Sequence, residues 1–206
     1  MCSSESDHAQ MRHLSLRPLQ NCSAQQTETI RQIRNCENVR ATMYSDHMIS
    51  ATEHQAWLLG LKNDATSIVF AVLREDEVPV GLVSVTKIDV KHKKADWAFY
   101  LDVSARGGLG AALEYMVIEY VFERLGLYKL NCEVLETNEA VIKMHQKFAF
   151  EIEGLRRSNI EKNGARVGVV FLGLTREDWI SRQFEIRDRY SSVLARFDLR
   201  IDAMAS

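Results

Sequence analysis

The chain has 206 residues, 46% hydrophobic and 26% charged, with only two prolines, which suits one α/β domain with a sizeable core, is awkward for two domains and shows no sign of disorder. Acidic and basic residues nearly cancel at a formal charge of −2, so the strong electrostatic footprint of a nucleic-acid or anionic-membrane binder is missing and the expected partner is a small molecule. Cys2, Cys22, Cys36 and Cys132 are scattered without a CxxC pair or a histidine at ligand spacing, so no metal site is predicted.

Met1 to Gln10 is polar and acidic, lacks the charged-then-apolar order of a secretion signal, and reads as a flexible tail over 1–10. No apolar run reaches the length of a membrane span, and reduced thiols in the cytoplasm are the expectation. His13 to Leu19 alternates as a strand. Thr29 to Arg40 and Thr52 to Lys62 carry helical spacing, with Ile30, Ile33 and Val39 on one stripe and Trp57, Leu58 and Leu61 on another. Ser67 to Arg74 and Val80 to Asp89 are β-branched runs around Glu75-Asp76-Glu77 and predict an antiparallel hairpin, which Ala95 to Val103 extends.

From Gly110 the period lengthens: Leu113, Met116, Val117, Tyr120 and Val121 share a face, while Glu114, Glu119 and Glu123 are expected to face away. Beyond Gly126 come a strand over Tyr128 to Leu135, holding Cys132 as a buried small hydrophobe, and a helix from Asn138 to about Phe148. Phe150 to Ile160 and Ala165 to Leu174 flank Asn163-Gly164, a hairpin signal. Arg176 to about Phe197 reads as a charged terminal helix, which could serve a homodimer contact.

Arg106-Gly107-Gly108-Leu109-Gly110-Ala111-Ala112 joins a predicted strand to an amphipathic helix. Free amides at the positive end of a helix dipole suit phosphate, and glycine allows both close approach and positive φ. A bare strand-to-helix connection is the alternative. No Gly-Lys-Ser/Thr closes the turn, which disfavours ATP hydrolysis, and antiparallel-looking strands precede it, which disfavours a dinucleotide fold.

On this element order and on Gly108-Leu109-Gly110, the chain resembles the GNAT acetyltransferase superfamily, whose turn is Gln/Arg-x-x-Gly-x-Gly/Ala. The Gln/Arg position falls on Ala105, with Arg106 one place later. The resemblance implies an α/β fold, mixed in character, with a mostly antiparallel central sheet, a splayed strand pair at the cofactor site and helices on both faces. The expected domain runs over 11–175, followed by a helical extension over 176–206. It implies acetyl-CoA as co-substrate, held by Arg106, Gly107, Gly108, Leu109, Gly110 and Ala111, by backbone groups of Leu101 and Val103, and by Asn138, which is also a candidate helix cap.

Direct transfer needs an unprotonated amine, a polarised thioester and a proton for the departing thiolate. Glu133, with Glu136 nearby, is a candidate base, the alternative being a solvated strand-end carboxylate. Within Asn138 to Phe150 the family pattern Asn-x-x-Ala-Ile-x-x-Tyr-x-x-x-Gly-Phe places His145 where relatives have an acid tyrosine, and Ala149 where they have glycine. His145 is thus either the general acid, active as an imidazolium, or a residue that packs beside the cofactor.

A closer resemblance, over Arg34-Asn35, Met43-Tyr44-Ser45, Gly81 to Ile88 and Glu133 to Asn138, is to the nucleotide-sugar N-acetyltransferases of pseudaminic acid biosynthesis. It implies acetylation of the 4-amino group of a UDP-linked amino-dideoxy sugar, on the route to flagellin glycosylation. Arg34, Met43, Tyr44 and His54 would hold that acceptor, with Thr86 and Lys87 near the cleft. His54 otherwise reads as an ordinary surface histidine. Protein N-terminal acetylation and acetyl-CoA binding without turnover are the competing functions.

Overall fold

The helices begin where a side-chain oxygen can take up the first free amides. Capping boxes pair Ser23 with Gln26, Ser50 with Glu53 and Thr175 with Asp178. The Ser23 box explains why the first helix starts well before Thr29, since it fixes the start upstream of the apolar stripe. The computed structural model describes residues 11–105 and 107–203. Their order is β1 (Arg12–Pro18), α1 (Ala24–Asn35), α2 (Glu37–Arg40), α3 (Ala51–Leu61), β2 (Ile68–Arg74), β3 (Pro79–Asp89) and β4 (Lys94–Leu101). Then follow α4 (Leu109–Glu119), β5 (Lys129–Leu135), α5 (Glu139–Lys147), β6 (Glu151–Lys162), β7 (Ala165–Thr175), α6 (Arg176–Arg189), α7 (Ser191–Leu194) and β8 (Phe197–Ile201). The expected tail over 1–10 lies outside the described residues. Among those described, no helix is long and apolar enough to cross a membrane.

The strands form one eight-stranded sheet in the order β6-β7-β5-β4-β3-β2-β1-β8, antiparallel except for β4 with β5 and β1 with β8. β2 shows how it is buried on both sides. Val69, Ala71 and Leu73 point to a smaller core with Leu19, Ile30 and Leu82, closed by Leu58 and Leu61 of α3. Phe70 and Val72 point to the larger core, where Leu113, Val117 and Ile118 of α4 and Trp179 and Ile186 of α6 pack. Burial at this scale, at about 25 cal/mol per Å² of apolar surface, is the main term holding the layers together.

The expected terminal helix stops at Arg189, and the chain then turns through α7 into β8, which runs parallel to β1 from Arg12↔Phe197 to Leu16↔Ile201. Phe197, Leu199 and Ile201 alternate with Asp198 and Arg200, a period of two that a short charged segment hides in sequence.

β4 and β5 position the site. Their ladder has three rungs, Lys94↔Lys129, Ala95↔Leu130 and Asp96↔Asn131, after which pairing stops although both strands continue. Parallel strands that part leave backbone groups unpaired, and such groups need another partner. The opening points toward the start of α4.

Candidate active site

The turn before α4 is shaped by two consecutive glycines, Gly107 and Gly108, both at φ +101°, a conformation that L side chains rarely adopt. Gly108 is the N-cap residue, so the amides of Leu109, Gly110 and Ala111 lie in the first turn and have no acceptor within the helix. Part of the glycine requirement is internal. A Cβ on Gly108 would lie 2.5 Å from Arg196 Nη2 and 2.8 Å from Val193 Cγ1, whereas a Cβ on Gly107 would meet nothing within 4 Å. The side of the turn at Gly108 is thus backed by α7 and the residue before β8, and Arg196 Nη2 donates to the Gly107 carbonyl at 2.6 Å. Gly110 looks toward Phe99 and Met144, with ordinary contacts at 3.6 and 3.9 Å. Arg106 lies outside the described residues.

Leu101 ends β4 opposite Gly81, and Val103 lies exposed in a 3-10 turn just beyond it. Both lie beyond the last rung that β4 shares with β5. Asn138 sits at the N-cap of α5, but its side chain makes no capping bond; its backbone amide donates to Leu135 O at 2.8 Å and its carbonyl accepts from the Val141 and Ile142 amides at 3.1 and 3.2 Å. The expectation that it caps the helix through its side chain is therefore corrected: its φ of −95° and ψ of 56° depart from the extended geometry that aims an N-cap oxygen at the first turn.

Across the opening, one polar cluster joins three separate parts of the chain. The Tyr44 hydroxyl, from the segment after α2, donates to Glu133 on β5. Lys87 Nζ reaches Asp96 of β4 at 2.7 Å and Glu133 at 3.9 Å. Asn131 Nδ2 donates to the other Asp96 oxygen at 3.2 Å. Lys87 adopts φ +51° at a bulge between β3 and β4, strain that re-aims its side chain, and Thr86 pairs with Asp96 beside it. Burial and the negative charge of Glu133 both hold the Tyr44 phenol protonated. Arg156 of β6 stacks over Phe171 at 4.2 Å and is near enough to Tyr44 and Lys87 to affect both electrostatically.

Arg34 borders this region from α1. One guanidinium nitrogen donates to Ser45 at 3.1 and 3.2 Å, while Nη1 is buried without a hydrogen-bond partner, and burial lowers its pKa from the ordinary value. Met43 is held by its backbone: Lys162, only 8% exposed at the end of β6, donates to the carbonyls of Arg40 and Met43 at 2.8 Å each. Nothing in the spacing of the sequence marks Lys162 for this task.

Two expected residues stand apart. His54 is 5% exposed and donates from Nε2 to the Thr27 carbonyl at 2.9 Å, so it joins α3 to α1 instead of facing an acceptor. Its place on an apolar helix face, beside Trp57, explains the burial and corrects both its substrate-binding and its surface reading. Glu136 is taken up by β7, its Oε1 accepting from the Gly168 amide at 2.5 Å.

His145 lies beneath the opening, 3% exposed, with Nδ1 2.7 Å from Glu114 Oε1. Trp97 meets its ring edge-on at 5.5 Å and Phe150 lies at 5.3 Å. Glu114 was expected on the outward face of α4 but is fully buried. Helical spacing alone reads a glutamate as solvent-facing, and only the partner on α5 explains it. Ala149, in the glycine position of the family pattern, takes φ +69°, so the backbone there does adopt the left-handed turn that glycine favours.

The Acetyltransferase (GNAT) domain family matches residues 19–168. The SPbeta prophage-derived uncharacterized N-acetyltransferase YokL of Bacillus subtilis is 27% identical over 150 residues, covering 71% of this chain and 80% of its own. Acetyltransferase PseH of Campylobacter jejuni is 24% identical over 139 residues, 68% of this chain and 85% of its own. Among solved structures, a spermidine N-acetyltransferase from Vibrio cholerae in complex with CoA and spermine superposes with a TM-score of 0.74 at 20% identity, covering 81% of this chain and 98% of that one. Among the described residues no cluster of His, Cys, Asp and Glu could hold a metal ion. With a family match spanning most of the chain, a glycine turn at the head of α4 and parted parallel strands, the chain belongs to the GNAT acetyltransferase family and is an N-acetyltransferase that uses acetyl-CoA.

Proposed function

We propose that the acceptor is the 4-amino group of a UDP-linked amino-dideoxy sugar. The observation that carries this reading is the charge balance of the cleft. The carboxylates of Glu133 and Asp96 stand beside Lys87, and Arg156 is near by, so the cluster carries cations to match its acids. A polycation would have to displace those cations, whereas a diphosphate can use them. Arg34, with a buried unpartnered nitrogen, and the half-exposed ring of Tyr44 add a phosphate contact and a stacking surface. The likeness of residues 34–35, 43–45, 81–88 and 133–138 to nucleotide-sugar acetyltransferases points the same way.

In this reading the first-turn amides of α4 and the unpaired backbone of β4 receive acetyl-CoA, which supplies the thioester. Glu133 takes the ammonium proton, directly or through water, and Tyr44 holds that carboxylate in place. His145 delivers the proton that the departing sulfur needs. A second reading, a polyamine acceptor, is favoured by Glu133 and Asp96 and by the fold shared with spermidine acetyltransferases.

Thiol release from acetyl-CoA separates the readings when a UDP-4-amino sugar, spermidine and an N-terminal peptide are offered in turn. The sugar nucleotide is expected to win by on the order of a hundredfold in kcat/KM. Equal or faster turnover of spermidine sinks the sugar assignment, and tight coenzyme binding without thiol release from any amine sinks catalysis.

A further inference from the structure

Among the described ion pairs, His145 with Glu114 is the pair in which both side chains are almost wholly removed from water. Trp97, which covers the imidazole, is the first β4 residue beyond the last rung to β5, so the pair adjoins the opening in the sheet. Burial raises the pKa of Glu114 while the imidazole opposes that rise. Among the described ion pairs Glu114 has no partner but His145, and the neighbouring groups on which it acts, Cys132 on β5 and Tyr190 after α6, are kept neutral by burial. Neither supplies a countercharge.

A buried pair without outside countercharge is most stable at zero net charge, because an uncompensated ion away from water is the costliest state available to it. Zero net charge means that the pair holds two protons. They can be arranged as imidazolium against carboxylate, or as imidazole protonated on Nε2 against a carboxylic acid donating to Nδ1. A proton on Oε2 instead would be a buried donor with no acceptor, since that oxygen has no hydrogen-bond partner. Both remaining arrangements place hydrogen on Nε2.

We infer that Glu114 is a positioning residue that keeps a hydrogen on His145 Nε2 and aims it at the departing sulfur. This rests on the reading of His145 as the general acid. The amine lone pair forms the C–N bond and the C–S bond breaks with its electrons on sulfur. The sulfur takes the Nε2 hydrogen, which leaves one proton between Nδ1 and Glu114. Water restores the second proton once the thiol has left; of the two protons the amine gives up, the ammonium proton has gone to Glu133 before attack and the one shed by the acylated nitrogen goes to water. A tyrosine at position 145 would need no such partner, whereas a lone buried imidazole would lose its charge and with it most of its acidity.

The test uses the full chain with its best amine. Nitrogen-15 NMR of the histidine rings, with His145→Gln for assignment, is expected to show hydrogen on Nε2 of His145 at the pH of the assay. An Nε2 that is bare at that pH overturns the inference without any variant of Glu114. In Glu114→Gln, kcat is expected to fall on the order of tenfold, and its alkaline limb to move down by about one pH unit or more, with the KM for acetyl-CoA unchanged. A wild-type pH profile in Glu114→Gln overturns the positioning role. His145→Phe reads the parent assignment separately: a roughly hundredfold loss of kcat supports the acid role, and a loss of less than about twofold overturns both.

Discussion

The two ends of the reaction cleft are built differently. The proposed coenzyme end consists of backbone: two left-handed glycines, first-turn amides and a sheet opening, backed on one side by Val193 and Arg196. The proposed acceptor end consists of long side chains, Tyr44, Lys87, Glu133 and Arg156, from separate parts of the chain, with Lys162 tying α2 and the segment after it to β6. Backbone sites keep their chemistry while side chains vary, and this suits a cofactor common to a family. Side-chain sites change acceptor with a few substitutions, so one fold can serve different amines.

The contrast can be broken most sharply at the turn. Gly108→Val places a branched side chain at positive φ and against Val193 and Arg196, so it is expected to cost about 3 kcal/mol of stability in urea denaturation. A variant that folds normally but binds coenzyme poorly would show instead that the ligand, not α7, occupies that space. A smaller effect is expected at the acceptor end. Lys162→Met leaves the carbonyls of Arg40 and Met43 without their donor and is expected to cost about 2 kcal/mol. It should raise the amine KM about fivefold and leave the coenzyme KM alone, as steady-state kinetics would reveal. Equal changes in both constants would contradict the separation of the two ends.

The smallest effect lies outside the cleft, at His54. Burial lowers its folded pKa, so the unfolded chain takes up a proton first as pH falls through the ordinary histidine value of about 6.5. In that window the unfolded state binds more protons, and stability therefore rises with pH. The stability His54 contributes is complete above that value and is lost on acidification. The urea midpoint of wild type should drop more between about pH 7.5 and about pH 5.5 than that of His54→Gln. Identical slopes would remove His54 from this account.

The layered sheet and the glycine turn were legible because each rests on a local signal, a period of two or 3.6 or a residue free to take positive φ. β8 was not, since its five residues follow a charged helix and find their partner, β1, at the other end of the chain. Glu114 and Lys162 were hidden for a related reason. A charged residue in sequence reads as solvent-facing, and only a distant partner, His145 or the carbonyls of Arg40 and Met43, reverses that. His54 failed in the opposite direction, since resemblance suggested contact with a ligand and a backbone carbonyl on α1 had already taken its ring nitrogen. Ala149 was legible only as a substitution; its backbone angle explains why relatives prefer glycine there.

Arg196 reaches back 89 residues to the turn that it braces. During synthesis the glycines therefore leave the ribosome long before their support does. A nascent chain that has exposed α4 holds the first-turn amides proposed to receive the coenzyme but not the wall behind them. Competence to bind the thioester should thus arrive late and abruptly, when the segment through β8 closes against β1, and not grow in proportion to the length translated.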